Sequence, residues 1–215
     1  MAPSLPLFST MRVVFLHAFP LDGRMWQTSA DLWPDASVAP TLYGLGETMT
    51  SWANRVLAMV PTGRLVLVGC SMGGSCALEM VRVAGDRVAA LVLVGSKAAV
   101  RYEPDRRDGY IEMLRTTGID GLWPDLGPVG DAARHLAHQQ SLGDLERGVR
   151  AFHTRPDAAD VLRGFRGEVL VVRGEHDLVG RSRPAAHVVA GAGHYVNLDQ
   201  SEAFNQLLVP LMRDG

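Results

Sequence analysis

Residues 65–80 read LVLVGCSMGGSCALEM, and they hold the turn around which the chain is organised. Leu65, Val66, Leu67 and Val68 form a short continuous apolar run, the composition of a strand buried on both faces of a parallel sheet. Over 74–83, Cys76, Ala77, Met80 and Val83 recur at helical spacing, so the chain must pass from strand to helix within a residue or two of Ser71. A residue at so sharp a turn is forced toward an unusual backbone geometry, and its neighbours must be small if strand and helix are to approach closely. Gly69 and Gly73 meet that need on either side of Ser71. GCSMG is therefore G-x-S-x-G in a strand–turn–helix context, a pattern that raises a serine hydroxyl above the sheet edge as a nucleophile. The N–H of Met72, at the helix start, would then point at developing negative charge. The competing reading is a glycine-rich turn in which Ser71 merely caps the helix.

Working outward, short apolar runs alternate with helical patterns: strands are expected at 12–17, 37–40, 65–69, 90–95, 168–172 and 187–190. Covering helices are expected at 51–60 and 74–83, with a closing helix at 201–212. This alternation predicts an α/β fold, a doubly wound and mostly parallel sheet. The interval from about 97 to 167 breaks the rhythm. It is too long for one crossover and carries helical patterns only, so it reads as a helical cap inserted within a single domain spanning 1–215. Its Tyr102, Tyr110, Met113, Leu114, Leu122 and Trp123 either line a substrate pocket or fasten the cap to the core.

Composition narrows the partners. The 215 residues are 47% hydrophobic and 20% charged, with a net charge of −2, values of a folded globular protein. Scattered arginines make no basic stripe, which argues against nucleic acid and for a small-molecule substrate. Residues 1–11 lack a basic region followed by an apolar core, and no apolar run is long enough to span a bilayer. No membrane association and a cytoplasmic location are the expectation; oligomeric state is left open. Cys70 and Cys76 are the only cysteines and read as reduced, buried thiols. With no C-x-x-C pair and no H-E-x-x-H helix, neither a metal nor a cofactor is called for.

A serine hydroxyl needs an imidazole to take its proton, and the imidazole needs a carboxylate to hold its tautomer. Among seven histidines, His194 in AGAGHYVNLDQ follows the last strand run on a glycine-bracketed loop, at the carboxyl edge where open α/β sheets bind ligands. His135, His138 and His153 fall on helical patterns of the cap, where a solvated or packed ring is the ordinary case. Asp177 ends the preceding strand through RGEHDLV, with Glu175 and His176 as close competitors. Each residue alone is modest evidence. Ser71, Asp177 and His194 in that order, each after its own strand, make a catalytic set.

With these residues assembled, the sequence resembles the α/β-hydrolase superfamily over nearly its whole length. FLHAFPLDGRMW (15–26) is similar to the family's H-G-x-P loop, RGEHDLV to its acid-bearing turn and GAGH to its histidine loop. The resemblance implies a helically capped serine hydrolase with the triad Ser71, Asp177 and His194. It also implies an oxyanion hole made by the backbone N–H groups of Phe19 and Met72, Pro20 having none to give. His17 would be a structural ring. A small carboxylic ester or lactone is the expected substrate, cleaved through an acyl-enzyme; carbon–carbon bond hydrolases, thioesterases and other acyl hydrolases share these motifs, and a non-catalytic binding member is the outside alternative. Three departures stand out. Ala18 replaces the usual glycine, Thr41 stands where relatives commonly carry aspartate, and only about nine residues separate the Asp177 turn from the last strand run, short for a crossover. Residues 1–11 leave little room for the family's extra antiparallel strands, so a trimmed N-terminus is expected.

Overall fold

The computed structural model describes residues 11–99, 104–179 and 187–212. Six strands form one sheet: β1 (Met11–Leu16), β2 (Ser37–Val38), β3 (Arg64–Cys70), β4 (Val88–Val94), β5 (Glu168–Gly174) and β6 (His187–Val189). Their order is β2-β1-β3-β4-β5-β6, and every pairing is parallel. The expected run at 37–40 contracts to two residues because Pro40 has no N–H to extend the ladder. β5 runs past the predicted 172, since Arg173 and Gly174 pair with Val188 and Val189.

Alternation along the strands builds two cores. Val13, Phe15, Val66, Val68, Val92 and Val94 face one side, while Val14, Leu16, Leu65, Leu67, Leu91 and Leu93 face the other. Side chains with a period of two, apolar at both phases, require cover on both faces. The second face is covered by α2 (Met49–Met59) and α3 (Met72–Ala84). Thr48 and Ser51 start α2 with reciprocal side-chain-to-backbone bonds of 3.1 Å each, satisfying N–H groups that no helical carbonyl reaches.

The first face receives a short 3-10 turn (Gly23–Trp26) leading into α1 (Gln27–Ala30), which the sequence pattern did not reveal. Trp26 there is fully buried, its ring centroid 5.3 Å from that of Phe15 and 5.7 Å from that of Phe204. Between β4 and β5 lie α4 (Pro104–Thr116), α5 (Trp123–Leu126), α6 (Asp131–His138), α7 (Leu142–His153) and α8 (Ala159–Gly164). After β6 come α9 (Val196–Asp199) and α10 (Ser201–Leu208). The predicted closing helix changes to 3-10 at Val209–Met212, where Pro210 removes a donor from the α-helical ladder. Among the described residues no helix is long and apolar enough to cross a membrane. The expected N-terminal trimming and Tyr102 lie outside the described residues, as does most of the β5–β6 link.

Candidate active site

Ser71 joins β3 to α3 with φ 51° and ψ −109°, and it alone among the described non-glycine residues has positive φ. Such a conformation costs on the order of 1–3 kcal/mol and persists only where the surroundings enforce it. Here the Ser71 N–H donates to the Val94 carbonyl at 2.8 Å, and the Ser71 carbonyl accepts from the Gly74 N–H at 3.1 Å. A Cβ on Gly73 would stand 2.0 Å from the Leu16 carbonyl oxygen, so glycine is what lets α3 start against the end of β1. The Ser71 side chain makes no capping hydrogen bond to α3. The capping reading therefore fails, and the strain has no helical purpose. Met72, the first residue of α3, is buried.

His194 and Asp177 meet across the ends of the last two strands. Both are fully buried, and the His194 Nδ1–H donates to Asp177 Oδ1 at 2.9 Å. That carboxylate oxygen also accepts from the Val179 N–H at 2.9 Å. The bond fixes the imidazole tautomer, leaving Nε2 as the acceptor. Nε2 is buried with no hydrogen-bond partner among the described residues. Glu175, the competing acid, is exposed and accepts from the Gly191 N–H at 2.9 Å instead. The short β5–β6 link has not displaced Asp177 from the histidine.

The pair is wedged against Gly95, just after β4. Gly95 has φ +54°, and a Cβ there would lie 2.9 Å from both Asp177 Oδ2 and His194 Cε1. The sulfur of Cys70, beside Ser71, lies 3.7 Å from the His194 carbonyl oxygen, so the histidine loop lies over the turn. Burial pushes the Cys70 thiol well above its ordinary pKa, which keeps it protonated and a poor nucleophile.

The loop after β1 is stitched by five hydrogen bonds that involve side chains. His17 Nδ1–H donates to the Ala18 carbonyl at 3.0 Å and its Nε2 accepts from the Leu42 N–H at 2.8 Å. Burial lowers the His17 pKa to about 4, so the ring is neutral and serves as a structural bracket. The Ala18 N–H donates to the Met25 sulfur at 3.3 Å. Tyr43 donates to the Leu21 carbonyl at 2.7 Å, and Tyr195 to the Phe19 carbonyl at 3.1 Å. Ala18 is fully buried without positive φ, so replacing the family's usual glycine introduces no left-handed residue here.

Ser71, Phe19 and Gly95 open onto one cavity of about 340 Å³. Of the cap residues left between pocket and core, Tyr110 and Leu122 reach it, Leu122 from the core itself, whereas Leu114 and Trp123 are buried in the core and Met113 packs against it. His153, read from the sequence as an ordinary helical histidine, lines the cavity together with Phe152, Val149 and Arg155. No local sequence pattern marked those four residues.

A model of the alpha/beta hydrolase family matches residues 13–207. The chain belongs to the alpha/beta hydrolase family. It is 29% identical to Lipase LipV of Mycobacterium tuberculosis, over 54% of this chain and 53% of that protein. It is 27% identical to the pimeloyl-[acyl-carrier protein] methyl ester esterase of Aromatoleum aromaticum, over 63% and 58% respectively. The match thus spans somewhat more than half the length of these curated relatives. Among solved structures, a thermophilic esterase from Thermogutta terrifontis superposes with a TM-score of 0.81 at 24% identity, covering 94% of this chain and 89% of that one. The enol-lactonase from Burkholderia xenovorans gives 0.77 at 18%, covering 95% and 92%. Likeness at this level establishes the alpha/beta hydrolase fold.

Proposed function

We propose that the protein is a serine hydrolase that cleaves a small carboxylic ester or lactone through an acyl-enzyme on Ser71. The observation that carries this reading is the strained Ser71, its side chain unused as a cap, at the turn over which lies the loop of a buried histidine that Asp177 holds with Nε2 as acceptor. Strain kept at a turn without structural return is a mark of a functional position. In the proposed reaction Ser71 Oγ attacks the carbonyl carbon while His194 Nε2 takes its proton. Asp177 favours the resulting imidazolium. The N–H of Met72, among the first-turn donors of α3 that lack an intrahelical acceptor, and that of Phe19 receive the developing oxyanion. His194 then passes its proton to the departing alkoxide. Water, deprotonated by His194, attacks the acyl-enzyme, and the carboxylic acid leaves as Ser71 recovers its proton. For a lactone the same steps open the ring to a hydroxy acid.

The helices between β4 and β5 act in this reading as a cap that walls the cavity. Relatives named as a lipase and as an ester esterase support an ester bond as the target. The test is covalent. A fluorophosphonate should label Ser71, and Ser71→Ala should lose labelling and about four to six orders of magnitude in kcat on an activated ester while staying folded. A folded Ser71→Ala protein with near-normal turnover would end the proposal.

A further inference from the structure

The cavity in front of Ser71 is not apolar throughout. Lys97, Arg106, His153 and Arg155 line it, and among the described residues Asp125 is the one acid that does. Arg155 is the unusual member. It follows α7 half-buried, with its guanidinium carbon 3.6 Å from the centre of the Phe152 ring. One of its Nη groups donates to the Phe152 carbonyl. Its Nε is buried with no hydrogen-bond partner, and no carboxylate pairs with it among the described residues. Burial and the neighbouring Arg106 charge push its pKa down to about 10, the direction expected of a cation lacking a counter-charge. Asp125 does not supply one. It is exposed, and its carboxylate accepts from the Tyr110 hydroxyl at 3.3 Å.

An arginine partly withdrawn from water without an anion is costly, and the cost is reduced when a carboxylate arrives. The planar guanidinium offers paired donors that match a carboxylate, and Phe152 stacked on its face would hold that plane fixed. Building on the reading of Ser71 as nucleophile, we infer that the substrate carries a free carboxylate besides its scissile ester, and that Arg155 receives it. Arg106, whose charge bears on Arg155, and Lys97 line the same cavity. Arg155 is thus the specificity-determining residue of the cavity.

Two matched substrate pairs test this: monomethyl glutarate against methyl pentanoate places the extra carboxylate on the acyl side, and 4-acetoxybutanoate against butyl acetate places it on the alcohol side. The quantity read is the ratio of kcat/KM, charged over neutral. The wild-type ratio should exceed about tenfold in one pair, fall to near one in Arg155→Gln, and be partly restored in Arg155→Lys, as expected for a charge-assisted contact. A wild-type ratio near one in both pairs, or one that survives Arg155→Gln, overturns the inference. Calorimetric binding of monomethyl glutarate and 4-acetoxybutanoate to Ser71→Ala separates this from a failure of the hydrolase reading. Binding of either that weakens at least tenfold when Arg155→Gln is added supports the anion site even without turnover. Equal binding of both with and without Arg155, or no binding of either, counts against it.

Discussion

Asp177 and Glu175 are two positions apart, carry the same charge and differ in what their carboxylates meet. Asp177 is fully buried against His194, whereas Glu175 is exposed against a backbone amide. Asp177→Asn should therefore leave the protein folded but lower kcat by about three to four orders of magnitude, because the amide favours the wrong imidazole tautomer. Glu175→Gln should cost less than about tenfold. Measuring kcat for both on one activated ester decides, and a severe Glu175→Gln defect beside a mild Asp177→Asn defect would reverse the roles. His17 makes a different prediction. Burial holds its pKa near 4 against an ordinary 6.5, so between those values the unfolded chain takes up a proton that the folded ring refuses. The associated stability is present in full above about pH 6.5 and is lost as pH falls toward 4, roughly 3 kcal/mol in all. Urea denaturation should show His17→Gln less stable than wild type at pH 7 but less sensitive to acid. At this scale the Ser71 turn and the meeting of Asp177 with His194 were legible, since each residue follows a strand in a recognisable turn or loop. Arg155 was not, because what sets it apart is the partner it lacks, and the sequence shows no pairings.

The β3–α3 turn shows how an element constrains its neighbours. Gly73 lets α3 begin against the Leu16 carbonyl, and backbone on both sides leaves nothing that can give way. Gly73→Ala should cost about 3 kcal/mol in urea denaturation, at the upper end of overpacking penalties. Its residual folded fraction should also lose ester turnover, because Ser71 shares the displaced turn. Full activity with unchanged stability would show that the elbow tolerates a shift. The strands and the helices α2, α3 and α10 were legible from periods of two and 3.6, within a few residues at their ends. The short helical segment at 23–30 was hidden by a glycine and by its length, too brief for any period to register. Its place is set by Trp26 between Phe15 and Phe204, a contact among distant parts of the chain. The same holds for the bond from Tyr195 to the Phe19 carbonyl. Nothing near either residue in sequence announces it.

Across the whole molecule the fold class was readable because a parallel sheet covered on both faces demands alternating elements, and the chain supplies them in order. Sheet order was not, since strand sequence does not say which neighbour a strand takes. β3 rather than β2 stands at the sheet's centre beside β1, and β4 finds β5 only after the chain has passed from Val94 to Glu168. That last feature bears on kinetics. Joining β5 to β4 closes the longest of these connections, 95–167 against 17–63 for β1 to β3 and 71–87 for β3 to β4, and closure entropy grows with loop length. The first half of the sheet with α2 and α3 is therefore expected to form the transition state, with β5 and β6 docking after it. In stopped-flow experiments Val66→Ala should slow refolding, whereas Val172→Ala should chiefly hasten unfolding. The reverse pattern would mean that the later strands nucleate the chain. With the expected order, Asp177 and His194 come together last, and the folding chain holds its strained serine before the proposed acid and base are in place.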